Sequence, residues 1–225
     1  MKILVVIPAR SGSEGLPNKN IKLLNGKPLI HYSIEVAQQI FSNEDICIST
    51  DSDEYIKIAQ QRGLNVPFVR PENLSTDKAT TQDVLLHSLD FYEKKGVFYD
   101  YILLLQPTSP FREKKHLEDI LMENNEGCDM IVSVKETDSN PYYVLLEENE
   151  EGYLKKLMKG KFTRRQDCPK VYEYNGSMYL ISVKSLKNTL ISNFKKIRKY
   201  EMHSKYSIDI DNQLDFDFAE FLMNN

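Results

Sequence analysis

The chain has 225 residues, with 29 Lys and Arg against 33 Asp and Glu and a formal net charge of −4. Apolar residues make up 41% and charged residues 28%, enough for a buried core, which excludes a disordered or fibrous chain, while the mild acidity argues against a protein built to coat nucleic acid. No run approaches the roughly 18 apolar residues of a membrane span, the N-terminus enters a strand-like run with no signal peptide, and Cys47, Cys128 and Cys168 show no zinc-type spacing to any histidine, so a soluble cytoplasmic protein with reduced thiols is expected.

The first predicted element is the run 2–7, Lys-Ile-Leu-Val-Val-Ile, continuously apolar and β-branched as befits a strand covered on both faces. It stops at Pro8, before a loop rich in Gly, Ser, Pro and Asn. Pro28 suits a first helical position, and Leu29, Ile30, Ser33, Ile34, Ala37, Ile40 and Phe41 recur behind it at helical spacing. A strand over 46–50 and a helix over 53–62 stopped by Gly63 follow, then a short strand over 66–70 and a helix over 81–95. The run 101–105, Tyr-Ile-Leu-Leu-Leu, is a strand cut off by Pro107 and Pro110. A helix over 114–124 and a strand over 130–134 complete an alternation that implies a three-layer, doubly wound, mostly parallel α/β sheet.

From 136 to 172 the alternation fails. Acidic residues Glu147, Glu148, Glu150 and Glu151 precede a basic block running from Lys155 to Arg165. This stretch reads as an arm inserted into a single domain spanning 1–225. The core resumes with a strand over 177–182 and closes with a helix over 213–223.

In an open parallel sheet, ligands bind beyond the carboxyl ends of the strands, so the loops there are where chemistry is sought. The loop after the first strand, 8–20, carries Gly12 and Gly15 for close backbone approach and Arg10 and Lys19 as cations for an anion. It fits neither G-x-G-x-x-G nor G-x-x-x-x-G-K-[ST], so a dinucleotide or Walker-type site is not supported, while phosphate binding and a plain connection both remain open. Near the other end of the chain stands Ser207-Ile-Asp-Ile-Asp211. In an extended segment residues two apart share a face, so Asp209 and Asp211 point together while Ile208 and Ile210 anchor the other side. Two carboxylates completed by water and phosphates suit Mg²⁺; a polar lead into the last helix is the structural alternative.

The sequence resembles the acylneuraminate cytidylyltransferases, also called CMP-sialic acid synthetases. The resemblance is carried by Ile7-Pro-Ala-Arg-Ser-Gly-Ser13 with Gly15-Leu-Pro-Asn-Lys-Asn-Ile21, then Ser49-Thr-Asp-Ser-Asp53 and Arg70-Pro71 leading to Ser75-Thr-Asp77. It continues through Leu104-Leu-Gln-Pro-Thr-Ser-Pro110, Asn175-Gly176 with Tyr179, and Ser207-Ile-Asp-Ile-Asp211, in family order and nearly end to end. The resemblance implies a nucleotide-diphospho-sugar-transferase fold, CTP as donor, Mg²⁺ (or Mn²⁺) as cofactor, and transfer of CMP to the anomeric hydroxyl of a nine-carbon 2-keto sugar acid. Arg10, Ser13, Gly15, Lys19 and Asn20 match the nucleotide loop, and Arg70 and Thr81 match positions near cytidine and ribose. Gln106, Thr108, Ser109, Arg165 and Tyr179 match the sugar side, and Asp209 and Asp211 the metal carboxylates. Arg10, Lys19, Asp209 and Asp211 are thereby the expected catalytic set, and the arm matches one through which family members form homodimers.

The chemistry agrees from below. Attack of an alcohol on an α-phosphate needs in-line positioning, charge neutralisation and a proton acceptor, the last being an aspartate or a metal-bound water. The sequence departs from the family pattern at Glu14, at Glu173-Tyr174 and at Ser192-Asn193-Phe194, which leaves the identity of the sugar open. Alternatives are the same fold acting on legionaminic, pseudaminic or 3-deoxy-manno-octulosonic acid, or a nucleotide-binding module without turnover. Neither a membrane nor a nucleic-acid partner is expected.

Overall fold

The computed structural model describes residues 1–12, 15–123 and 127–225. In chain order the elements are β1 (Ile3–Pro8), the short β2 (Leu23–Leu24) and β3 (Lys27–Pro28), α1 (Leu29–Gln38), β4 (Ile46–Ser49), α2 (Asp53–Gln60), α3 (Thr81–Glu93) and β5 (Tyr101–Leu105). Then come α4 (Lys114–Met122), β6 (Met130–Glu136), β7 (Leu146–Glu148), β8 (Leu154–Lys156), β9 (Tyr172–Ser182), α5 (Val183–Asn188), β10 (Ile197–Glu201) and α6 (Gln213–Asn224).

Six strands form one sheet in the order β10-β6-β9-β5-β1-β4. Strands β4, β1 and β5 pair in parallel, as do β10 and β6, and β9 runs antiparallel between β5 and β6. The period-2 alternation of a strand divides the core into two halves. Val5 and Ile7 pack on one face with Ile30 and Ile34 of α1 and Leu117 and Ile120 of α4. Leu4 and Val6 pack on the other with Leu85 and Leu89 of α3 and Leu186 of α5. A strand covered on both sides must be apolar at every position, which is why β1 and β5 read as unbroken runs. A third, smaller cluster seats Phe216 and Ala219 of α6 on Leu24, Leu29 and Ile210.

Several expectations are corrected here. Residues 66–70 form no strand. Arg70 N–H reaches Thr50 O at 2.7 Å, but Pro67 lacks a donor and the segment crosses the end of β4 instead of pairing along it. Pro28 lies just before α1, extended and paired with Leu23, across a turn in which Asn25 and Gly26 both take positive φ. The helix expected over 114–124 closes at Met122, and the strand expected over 177–182 begins five residues earlier, at Tyr172. Strand β10 and helix α5 have no counterpart in the sequence reading.

Residues 137–171 connect β6 to β9. Glu136, at the end of β6, pairs with Tyr172, at the start of β9, so the arm is the long connection of a hairpin, and hairpin connectivity makes β9 antiparallel. It leaves the sheet at the carboxyl ends of the parallel strands. Its regular structure is the β7–β8 hairpin and one turn of 3-10 helix, Arg165–Asp167.

Candidate active site

At the carboxyl ends of β1, β4 and β5 the loops enclose a cleft of about 520 Å³, lined among others by Arg10, Gly15, Lys19, Asn20, Arg70, Thr81, Gln106, Thr108 and Asp211. That volume lies within the range of small-molecule sites. The loop after β1 is held from several directions. Ser11 donates its N–H and hydroxyl to the Asp51 carboxylate at 2.9 and 2.7 Å. Burial works to raise the Asp51 carboxyl, yet these two bonds, with the Asp51 backbone N–H and the Arg70 charge, together outweigh it and hold the group below its ordinary value. Asn20 is buried and donates to Arg10 O at 3.1 Å, so its amide fixes the loop backbone beneath the first cation. A Cβ on Gly15 would overlap the Asp211 carbonyl oxygen, so here the missing side chain lets the loop close on residue 211.

Lys19 joins the two constellations. Its ammonium donates to Ile210 O at 3.0 Å and to Asp211 Oδ1 at 2.9 Å, and its side chain is 14% exposed against 74% for Asp211. Arg10 pairs with Asp77, which reaches the cleft from the loop before α3. Arg70 also lines the cleft, but its guanidinium is buried and donates to Ser49, and burial lowers its pKa to about 10. Thr80 caps α3 by accepting from Asp83 N–H at 3.2 Å, placing Thr81 and the helix N-terminus at the cleft wall.

The segment 207–211 belongs to no strand or helix. Ser207 Oγ accepts from Asn175 Nδ2 at 2.9 Å and Ile210 N–H donates to Thr108 O at 2.9 Å, tying the segment to β9 and to the loop after β5. Ile210 is wholly buried and Ile208 partly so; Asp211 lines the cleft, whereas Asp209 does not. Asp209 lies deeper. Burial pushes its carboxyl above the ordinary range and the Asp211 charge adds to this, against a hydrogen bond from Thr108 and the nearby Lys19 and Arg112. Asp209 Oδ1 is buried with no hydrogen-bond partner among the described residues. Gly176, at φ +69°, sits against the same carboxylate, where a Cβ would come within 2.5 Å of Oδ2. It belongs to a bulge in which β9 runs from Tyr174 to Tyr179 while β6 advances only from Val134 to Val132.

Gln106 lines the cleft and its side chain hydrogen-bonds Tyr179, whose hydroxyl burial and the Asp209 charge push up to about 12. Asp209 and Tyr179 thus adjoin the cleft behind Thr108 and Gln106. Other expected residues are elsewhere. Ser109 is fully buried, its hydroxyl finds no partner among the described residues, and it does not line the cleft. Arg165 lies on the arm, paired with Asp138, and is not part of this chain's cleft wall. Ser13 and Glu14 lie outside the described residues. Phe194 is buried in the core half under α3, so it is not presented as an aromatic face to a ligand.

Two residues escaped the sequence reading. Asp77 was part of a motif but had no role. Arg112 is buried beneath the site, donating to Ser177 O and Gln106 O, both at 2.7 Å, and to Ser33. Burial lowers its pKa to about 9. The available signal was an arginine two residues after Pro110, inside a segment otherwise suited to a buried turn.

Residues 4–224 match the family model described as cytidylyltransferase. The chain is 36% identical to an N-acylneuraminate cytidylyltransferase of Streptococcus agalactiae serotype V over 96% of its own length and 52% of the relative's, so it spans about half of that longer protein. It is 34% identical to the CMP-N,N'-diacetyllegionaminic acid synthase of Legionella pneumophila, covering 99% of this chain and 97% of that one. A solved structure of CMP:2-keto-3-deoxy-manno-octonic acid synthetase complexed with CTP shares the fold, with a TM-score of 0.72 at 19% identity over 100% of this chain and 99% of the other. With a mostly parallel sheet, a cleft at its carboxyl end and a match over nearly its whole length, the chain belongs to the cytidylyltransferase family.

Proposed function

We propose that the protein transfers CMP from CTP to the anomeric hydroxyl of a nine-carbon 2-keto sugar acid of the sialic type, releasing diphosphate. The observation that carries this reading is the junction at Lys19, where a cation from the loop after β1 meets the Asp209–Asp211 segment at one cleft. The acceptor oxygen forms a bond to the α-phosphorus, and the bond from that phosphorus to the bridging oxygen breaks, its electron pair leaving with diphosphate. Lys19 and Arg10 hold negative charge on the triphosphate as it shifts to the leaving group. The hydroxyl proton passes to a carboxylate of the Asp209–Asp211 segment that the cation leaves free, or to water. Gln106 and Tyr179 border the acceptor side.

Among the described residues no group of three or more His, Cys, Asp or Glu could hold a metal ion. Two carboxylates with a partnerless buried oxygen, Asp209 Oδ1, nevertheless suit a hard cation that takes its remaining ligands from phosphates and water. Asp209 and Asp211 would hold Mg²⁺ or Mn²⁺, which supplies neutralisation of the triphosphate when bound. No helix among the described residues is long and apolar enough to cross a membrane.

The arm supports a homodimer. Tyr143, Leu146, Tyr153, Leu154, Leu157 and Met158 are all exposed on it, and pairing with a second copy would give it a core. Arg165 would then approach a cleft from the partner's side.

The test is diphosphate release with CTP, Mg²⁺ and a panel of sialic, legionaminic, pseudaminic and 3-deoxy-manno-octulosonic acids. Turnover with a nine-carbon acid and CTP, and not with ATP, supports the reading. Turnover with the eight-carbon acid alone redirects it, and none with any acid favours a binding module.

A further inference from the structure

Among the described residues three cations line the cleft: Arg10 and Lys19 from the loop after β1, and Arg70 from the segment after α2. Arg70 is committed to Ser49. Lys19 meets Asp211, a carboxylate that the proposed chemistry uses. Arg10 meets Asp77, which that chemistry does not use. The two are 67 residues apart in sequence, so the pair is a tertiary contact between residues that line the same cleft. Asp77 is held there by its loop: Ala79 N–H returns to Thr76 O at 3.2 Å, and Thr80 opens α3 with a capping box.

We infer that Asp77 sets the affinity of the cleft for the phosphates of a nucleotide. This rests on the nucleotide reading above. A phosphate oxygen that reaches Arg10 has to take the guanidinium from the Asp77 carboxylate and then stand beside its negative charge. Both effects weaken binding of the triphosphate, and both favour departure of the product diphosphate. The step is an exchange of one anion for another on the same donor. Because the pair is partly solvated, with Arg10 31% and Asp77 58% exposed, the effect is moderate and sensitive to salt.

The experiment is calorimetric titration of CTP, in the presence of Mg²⁺, into wild type, Asp77→Asn, Arg10→Ala and the double variant, with circular dichroism to confirm folding. Asp77→Asn keeps the side-chain shape and removes the charge. It is expected to tighten CTP binding about fivefold at an ionic strength of about 0.01 M and about twofold at about 0.15 M. Inhibition by diphosphate should strengthen by a similar factor, and the gain should shrink clearly in the Arg10→Ala background. Equal or weaker binding by Asp77→Asn overturns the inference, because the carboxylate then merely orients Arg10. A gain of the same size without Arg10 overturns the proposed route. If wild type and Asp77→Asn both fail to bind CTP, the nucleotide reading falls with it; if both bind equally and wild type turns over, only this inference falls.

Discussion

Around the cleft, charged and polar contacts join residues far apart in the chain: Lys19 with Asp211, Arg10 with Asp77, Asn175 with Ser207. In the arm, which leaves the same end of the sheet, two ion pairs are close in sequence, Lys155 with Glu147 at 3.3 Å across one hairpin and Arg164 with Asp167 at 2.8 Å within one turn, and the wider ones, Arg165 with Asp138 and Lys170 with Glu136, stay within the arm and its base. The central strands β1 and β4 beneath the cleft bury nearly all their apolar residues, whereas the arm exposes several, Leu154 by 65% and Tyr153 by 69%. Long-range pairing fixes a geometry only because a packed core holds its members. Short-range pairing shapes a segment but stabilises it little, since exposed pairs contribute roughly 0–1 kcal/mol. The cleft is therefore positioned by this chain alone, while the arm's apolar surface calls for something to cover it.

The strongest way to break this contrast is at its centre. Lys19→Ala should lower kcat by about 10²–10³ with the fold intact, since it removes a donor to the charge that builds on the leaving diphosphate. Steady-state kinetics with circular dichroism checks this, and an unchanged kcat would reduce the loop to a connection. Next, Gly176→Ala places a Cβ against Asp209 and requires a left-handed φ, and should cost about 1–3 kcal/mol in denaturant unfolding while also slowing turnover. A loss of stability without a loss of rate would separate the bulge from the chemistry.

Asp211→Asn should raise the Mg²⁺ concentration for half-maximal rate about tenfold and lower the limiting rate. Were the carboxylate only a partner for Lys19 and a lead into α6, melting would shift slightly and the Mg²⁺ titration would stay put. In the arm, the paired substitution Leu146→Ser with Leu154→Ser should halve the mass seen by light scattering at micromolar concentration, with little change in the melting of each chain. An unchanged mass would remove the arm from the interface. Least of all, Lys155→Ala should alter stability by under about 0.5 kcal/mol, because its partner is exposed and solvated.

Much of this was legible without coordinates. The unbroken apolar runs of β1 and β5 announce strands covered on both faces, since only residues that lose water on both sides must be apolar throughout. Arg10 and Lys19 after the first strand, and the alternation Ile208-Asp-Ile-Asp211, point to the cleft because strand ends and side-chain periodicity are local properties. Strand β10 was not legible. Its Arg198, Lys199 and Glu201 are exposed at the sheet edge, so only Ile197 and Tyr200 carry an apolar signal, and pairing with β6 makes it a strand. The antiparallel course of β9 follows from the hairpin connection through the arm, not from its residues. The unlike fates of Asp209, buried against Gly176, and Asp211, exposed on Lys19, arise where β9, the loop after β5 and the loop after β1 converge on one segment. Local sequence sets which faces are apolar and where charges stand along a strand or loop. Which charges meet, and which carboxylate loses its water, depends on contacts between residues nearly the whole chain apart, and only tertiary packing brings those together.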